Sequence, residues 1–357
     1  MGERERVRCR ERIEKLVEAD LGPEAAQRAA IDELRRAVGF ERWCWPLTDP
    51  GTGLAMGGVA EFDLWPVVPR LAALEEQEPG ANKPRLILGS VASAALSTAT
   101  DGDLSRSRRW RECLQPYGIG DELMTVCRDR NGCWGSVELM RDSGDPLFRE
   151  DEARLLHDLA PVLGALLRRS AARSWQVTAA DPEPRPPGTL ILDERMARAG
   201  WTSPVRDWLA DLSPGAEMLP PGVYEIAARV RTPPGAAHGL PARVRIRTRS
   251  GRWSVVEGAR LEGEGRGRVA VTIRAAAAEE VFDVLCRAHD LTARERQLAT
   301  LLRKGLATKG LAGSLSISPY TVQDHLKAIF AKTGARSRGE LLSRLAGSHA
   351  HDGRPSD

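Results

Sequence analysis

Between Leu291 and Leu345 the chain starts and stops helices so often that it can form only a cluster of short helices joined by tight turns. Thr292 followed by Glu295 is a capping box, in which the hydroxyl satisfies an orphan N–H and the carboxylate reaches back to the cap. Leu298, Leu301 and Leu302 then form one apolar stripe, and Gly305 stops the helix after Lys304. A short helix is predicted around Lys309–Leu315, followed by a turn at Ser316–Ile317. Ser318 as N-cap and Pro319 at the first helical position open the next helix, which Gly334 ends. Ser337 and Glu340 form a second capping box, opening a last helix whose Leu341, Leu342 and Leu345 point inward. The central pair, joined by a turn of about three residues, has helix-turn-helix spacing.

On the helix from Pro319 to Lys332, Val322, Leu326, Ile329 and Phe330 share one face. The opposite face carries Tyr320, Asp324, Lys327 and Ala331, with Thr321, Gln323 and Ala328 at its edges. These side chains suit a DNA major groove: Gln pairs with adenine, Lys with guanine, Asp accepts from a cytosine amine, and Ala or Thr touches a thymine methyl. Thr308, Lys309, Ser318, Thr321, Lys332, Arg336 and Arg338 lie at helix N-termini or are long cations, as phosphate contacts require. Residues 291–345 hold ten Lys and Arg against three Asp and Glu, a net +7; since the whole chain is +3, the remainder is −4. A basic tail on an acidic body is the charge distribution of a nucleic-acid-binding module attached to another function. Asp324 argues the other way, because phosphates repel it. It keeps open a solvated helix face, or a protein-interaction module that uses the helix-turn-helix to contact another regulator.

The run LTARERQLATLLRKGLATKGLAGSLSISPYTVQDHLKAIFAKTGARSRGELL, about 15% of the chain, resembles the LuxR-type helix-turn-helix. The matching positions are Leu291, Thr292, Arg294, Glu295, Leu298, Gly305, Leu311, Ala312, Leu315, Ser318, Thr321, Val322, His325, Lys332, Gly334, Arg338 and Leu341. The resemblance implies a homodimer formed through the last helix, with Leu341, Leu342 and Leu345, and base contacts by Gln323, Asp324 and Lys327, to which the outer face adds Tyr320. It implies a transcription regulator that binds double-stranded DNA, with RNA polymerase a further candidate partner; His325, near the buried side of the helix, reads as structural rather than as a metal ligand or catalytic base. The sequence departs from the family pattern at the second helix, where a Ser and a Glu are usual and Ala307 and Gly310 stand instead. Gly313 adds a second flexible residue, and Thr308 is left as a cap one position late.

Upstream, four prolines between Ala179 and Gly188 make a stiff linker. Before it, Pro23–Val38 is predicted as an amphipathic helix, Phe40–Pro46 and Leu54–Phe62 as strands, Leu64–Gln77 as a helix, and Glu122–Arg128 and Gly135–Arg141 as strands around an Asn131–Gly132 hairpin turn. Arg149–Arg169 follows as a helix with Leu155, Leu156, Leu159, Val162, Leu163, Leu166 and Leu167 at helical spacing. This order, densest over residues 135–169 with Pro146, Leu147, Phe148, Asp151 and Glu152, resembles a GAF sensor domain, a family that holds small ligands or serves as a dimerisation platform. After the linker, Gly188–Leu192 reads as a strand and Ser203–Leu212 as a helix. Val223–Arg231, Ala242–Arg249, Arg252–Leu261 and Val269–Arg274 alternate like strands, with Ser250–Gly251 turning between two of them and Pro233–Gly239 a loop. This segment resembles a degraded PAS domain. The chain then divides into a helical arm (1–21), an α+β GAF-like domain (22–170), a linker (171–187), a smaller α+β PAS-like domain (188–275), a connecting helix (276–290), an all-α four-helix LuxR-type domain (291–347) and a disordered tail (348–357).

No enzyme is expected. H-E-x-x-H, G-x-S-x-G and a phosphate-binding Gly-rich loop are absent, and Glu61 and Asp63 do not supply the acidic cluster of a phospho-receiver. His157 has no evident catalytic partner. Cys9, Cys44, Cys113, Cys127, Cys133 and Cys286 form no C-x-x-C, so buried, reduced thiols are expected, with neither metal nor cofactor. Trp43, Trp45, Trp65, Trp110 and Trp134 are candidates to line a ligand pocket in the first domain, or else belong to its core. The N-terminus is charged, without an apolar signal region, and no run approaches the ~18 apolar residues of a membrane span; a cytoplasmic protein away from the membrane follows.

Overall fold

The computed structural model describes residues 3–61, 65–77, 82–175, 185–213, 218–233 and 239–346. The first domain opens with α1 (Glu3–Glu18) and α2 (Pro23–Ala37), followed by β1 (Arg42–Thr48) and β2 (Ala55–Ala60). Helices α3 (Val68–Gln77) and α4 (Lys83–Leu88), β3 (Ser93–Ala95), α5 (Leu96–Ala99) and three single helical turns between Leu104 and Tyr117 come next. β4 (Ile119–Asp129), β5 (Gly132–Asp142) and α6 (Glu150–Ser174) close the domain. Its sheet is antiparallel, in the order β2-β1-β5-β4-β3. α1, α2 and α6 cover one face. Trp43, Trp45, Leu123, Val137 and Leu139 meet Ile13, Ile31, Leu34, Leu159 and Leu163 there. The predicted N-terminal arm is therefore part of this domain: Ile13 is wholly buried, Arg6 pairs with Asp151, and Arg169 pairs with Glu18. α6 runs five residues beyond the predicted end at Arg169, carrying Pro161 within it.

The second domain comprises β6 (Gly188–Leu192), β7 (Arg198–Trp201), α7 (Val205–Leu212), α8 (Pro221–Arg231), β8 (Arg243–Arg247), β9 (Trp253–Arg260) and β10 (Val269–Ala275). Its antiparallel sheet runs β7-β6-β10-β9-β8. Numbered within each domain, both sheets have the order 2-1-5-4-3, so one architecture occurs twice. Val223–Arg231, predicted as a strand, lies within α8. Val223, Tyr224, Ile226, Ala227 and Ala228 are all buried, because the helix packs on β9 and β10 and also on α3 of the first domain. Burial around most of its circumference erases the helical period, and Pro221 at the first helical position is the one local sign of the helix start. Gly222 is required at this contact: a Cβ there would lie 2.3 Å from the Ala55 carbonyl oxygen.

The last unit contains α9 (Ala278–Ala288), α10 (Ala293–Arg303), α11 (Thr308–Leu315), α12 (Pro319–Thr333) and α13 (Arg338–Ala346). The predicted connecting helix is an integral part of this head, since Val281, Val284 and Leu285 of α9 share a core with Leu298, Val322, Ile329 and Leu341. Residues 176–184 of the predicted linker, residues 234–238 of the predicted loop and the predicted tail lie outside the described residues. No helix among the described residues is long and apolar enough to cross a membrane.

Polar contacts join the three units. Arg245 of β8 grips the fully buried Asp49 carboxylate through Nε at 2.7 Å and Nη2 at 2.6 Å, and its Nη1 donates to the Glu280 carbonyl of α9 at 3.0 Å. Asp290, just after α9, accepts from Arg130 at 2.9 and 2.6 Å and from Asn131 Nδ2 at 2.6 Å, with Arg168 of α6 at 3.9 Å. Trp134, Trp175 and Trp253 meet in sequence, tilted and then edge-on, with centroids 6.2 and 4.9 Å apart, and link the core of the first domain to that of the head.

Candidate nucleic-acid interface and interdomain cleft

Each end of α12 is set by its own sequence. The Ser318 hydroxyl accepts from the Thr321 N–H at 3.1 Å, Pro319 occupies the first turn, and Gly334 takes the left-handed conformation (φ 70°) at the C-cap. Ser316, at φ 52°, makes the turn from α11. Val322, Leu326 and Ile329 anchor α12 on the head's core, while Phe330 is only half-buried. This leaves Tyr320 (84% exposed), Gln323, Asp324 and Lys327 on the surface together. Lys327 Nζ lies 3.9 Å from the Asp324 carboxylate, so the acid moderates the cation beside it.

The phosphate set predicted from sequence divides. Lys309 and Arg336 are exposed, and Ser318 and Thr321 sit at the N-terminus of α12. Lys332 does not belong with them: its ammonium donates to Glu295 Oε2 at 2.7 Å and to the Asp290 carbonyl at 3.1 Å, tying α12 to the capping box of α10. Arg338 donates to Thr308 Oγ1 at 2.7 Å, joining α13 to the start of α11. Leu341 and Leu345 of the predicted dimerisation helix are wholly buried inside the head, against α9 and α10, and Leu342 is half-buried. In this conformation their side chains serve the chain's own core rather than a second copy. His325 is half-buried on α12. The capping box of α10 forms in full, with Glu295 N–H to Thr292 Oγ1 at 3.2 Å and Thr292 N–H to Glu295 Oε2 at 2.7 Å. At α13, Ser337 accepts from the Glu340 N–H, but the Glu340 carboxylate reaches Arg336 N–H, one residue beyond a true box. No side chain caps α11.

The tryptophan pocket read from sequence is not assembled. A strand alternates its faces, so Trp43 and Trp45 both enter the helical core and Cys44 between them points the other way. Trp134 joins the same core, and the Trp110 indole N–H donates to the Ile119 carbonyl at 3.1 Å. Of the five, Trp65 lines a cleft of about 730 Å³ between the two sheet domains. Val68, Leu71, Met56, Pro220 and Ile246 give this cleft apolar walls. Its polar end holds Glu75, Lys83, Arg109, Glu138 and Glu225, with Glu122 directly behind.

Every member of this cluster is buried or nearly so. Lys83 Nζ lies 2.5 Å from Glu225 and 3.7 Å from Glu75. Arg109 meets Glu122 at 2.8 Å, Glu75 at 3.5 Å and Glu138 at 3.9 Å. The Cys44 thiol donates to Glu138 Oε2 at 2.9 Å, and the Ala55 N–H to Glu225 Oε2 at 2.7 Å. Burial alone would depress the Lys83 ammonium, but Glu225 and Glu75 hold it above the usual lysine range. Burial pushes the Glu122 carboxyl up to about 8, against the pull of Arg109, and raises Glu138 for the same reason. Sequence reasoning missed these residues. The available signal was a glutamate within a strand and directly before a Leu-Met pair, Glu122 in β4 and Glu138 in β5.

His157, which sequence left without a role, accepts from the Ala92 N–H at 3.0 Å through Nδ1 and so holds the start of β3. The described cysteines are all free thiols, and burial raises Cys127 well above the usual thiol range.

Residues 289–345 match the family described as bacterial regulatory proteins, luxR family, and form a LuxR-type helix-turn-helix domain. Over 54 residues, 15% of this chain and 24% of the relative, the chain is 48% identical to the monoamine regulon transcriptional regulator of Klebsiella aerogenes. Over 59 residues, 16% of this chain and 30% of the relative, it is 41% identical to the transcriptional regulatory protein UhpA of Escherichia coli (strain K12). The chain thus spans a third or less of the length of these relatives. Among solved structures, the GAF domain from Acinetobacter phosphoenolpyruvate-protein phosphotransferase aligns with 48% of this chain and 97% of its own, at 13% identity and a TM-score of 0.31. The chromophore-binding domain of the bacteriophytochrome RpBphP3 from R. palustris aligns with 44% of this chain and 58% of its own, at 13% identity and a TM-score of 0.30.

Proposed function

We propose that the chain is a sequence-specific, double-stranded-DNA-binding transcription regulator whose two sheet domains, GAF-like and PAS-like, bind a small effector. The observation that carries this reading is the exposed face of α12 in a LuxR-type head: Tyr320, Gln323, Asp324 and Lys327 stand clear of the body, on a helix whose opposite side is locked into the core. Gln323, Asp324 and Lys327 are the base readers, joined by Tyr320 on the same outer face. Lys309, Arg336 and the N-terminal hydroxyls of α12, Ser318 and Thr321, position the backbone. Thr308 and Arg338, joined to each other, stand at the periphery of that set. Two-fold pairing on a near-palindromic site, with half-sites about one helical turn apart, fits a homodimer.

The test is to recover DNA fragments retained by the purified full chain and by its Lys327→Ala and Gln323→Ala variants. One enriched, near-palindromic motif is expected, weakened in each variant by the ~1–3 kcal/mol of a base contact. Binding that is indifferent to sequence and to both substitutions contradicts the reading. It would favour a head that contacts another protein, the alternative to which Asp324 lends weight.

A further inference from the structure

We propose that the cleft between the two sheet domains takes a small organic cation, a protonated amine on an apolar body, with Glu138 and Glu75 as its counter-charges. The inference rests on the reading that the body binds an effector, and it names the chemistry of that effector.

The shape of the cleft comes first. At about 730 Å³, with one wall of Val68, Leu71 and Met56 from the first domain and another of Pro220, Pro221 and Ile246 from the second, it suits an aliphatic or aromatic group rather than a fully polar one. Both domains must contribute for it to exist.

The charge at its closed end decides the class. Four carboxylates, Glu75, Glu122, Glu138 and Glu225, face two cations, Lys83 and Arg109. Both cations already lie against protein carboxylates, so an anionic ligand would meet a cluster with surplus negative charge. That surplus is costly in a site removed from water, because the charged carboxylate loses its hydration without a full set of counter-ions. The structure offers two ways to relieve it. One is a proton, which the raised affinities of Glu122 and Glu138 already indicate. The other is a cation arriving through the cleft. Among the described residues, no three of these carboxylates converge as a metal ion would require. An ammonium, which needs only one or two acceptors and carries its own apolar body, fits both the floor and the walls.

Binding should therefore exchange a proton for the ammonium. The groups facing the Glu122–Glu138 pair are Arg109, Glu75 from α3, Lys83 from α4, Asp121 from β4, Cys44 from β1 and, beyond Lys83, Glu225 from α8. Neither cation among them leaves its carboxylates near neutrality, so the proton lost comes from the pair. Affinity for the amine should rise with pH by up to tenfold per unit over the range in which the Glu122–Glu138 pair holds its proton.

The experiment is calorimetry and thermal melting of the full chain with hexylammonium, cyclohexylmethylammonium, hexanol and hexanoate at pH 6 and pH 8. The expected result is binding of the two amines only, tighter at pH 8. Buffers of differing ionisation enthalpy should reveal about one proton released. Glu138→Gln, a neutral isostere of a carboxyl already inclined to stay protonated, should keep the fold, weaken the amines at least tenfold and flatten the pH dependence. Proton release by the unaltered protein is read without any variant. Equal binding of hexanol or hexanoate overturns the cationic class and leaves the cleft as an effector site. Amine binding without proton release, and unaffected by Glu138→Gln, overturns the site. No binding of any probe overturns the proposal, while the DNA experiment separately decides whether the chain is a regulator.

Discussion

His289 closes α9 and is buried where head meets body, bonded to the Lys332 backbone, with Arg168 of α6 and Arg344 of α13 nearby and Asp290 next in sequence. Burial is the main reason its imidazole is held down at about 4, and the two arginines add to it. The sign follows from linkage. A folded value below the unfolded 6.5 contributes stability that is full above pH 6.5 and is lost as pH falls toward 4. A shift of that size corresponds to about 3 kcal/mol. Denaturant titrations should find the native chain weakening over that interval, and His289→Gln should show a flatter profile. Equal pH profiles would mean that another group controls acid sensitivity. At this scale the sequence was legible where one neighbour determines the outcome, as with Thr292 and Glu295. It was opaque where distant segments meet: nothing local tells that Lys332 is taken by Glu295 and Asp290, or that Glu75, Glu138 and Glu225 share one cleft.

Among the head's helices, α11 is the least secured. It lacks a side-chain cap and carries Gly310 and Gly313 in eight residues. Neither glycine is required by geometry: a Cβ on Gly310 would meet only ordinary contacts with Leu306, and one on Gly313 would meet nothing within 4 Å. Gly310→Glu places a carboxylate in the first turn, and Gly313→Ala removes backbone freedom. Each should stabilise the helix by about 1 kcal/mol. Slower amide exchange in α11 and a higher melting temperature of the head check this; unchanged exchange contradicts it. Helices with one buried face, α2 and α6 among them, were readable from periodicity; β4 and β5, buried on both faces, were readable from the Asn131–Gly132 turn between them, and the three-residue β3 was not. α8 was not, because neighbours on several sides replace a stripe with near-continuous apolar burial, and only Pro221 at its start betrayed the helix.

For the whole molecule, the posture of the head depends on few side chains. Asp290 accepts from Arg130 and Asn131, lies within reach of Arg168, and adopts φ 56°, where glycine is at ease. Asp290→Gly therefore removes the latch without straining the chain. Small-angle scattering should show a larger radius of gyration than the native protein gives, since head and body then separate more readily. An identical profile would mean that Arg245 and the apolar contacts suffice. The order of the three units was legible from the prolines and the helix punctuation. Their mutual packing was not, because it rests on single long-range pairs such as Arg245 with Asp49.

The run of indoles from Trp134 through Trp175 to Trp253 has a photophysical consequence. Rings this close exchange excitation far faster than they emit, so ultraviolet light absorbed by one is shared by all three. Their shared emission then reports the junction between the units rather than any one domain, and with the other six tryptophans replaced by phenylalanine it would gauge whether that junction is closed.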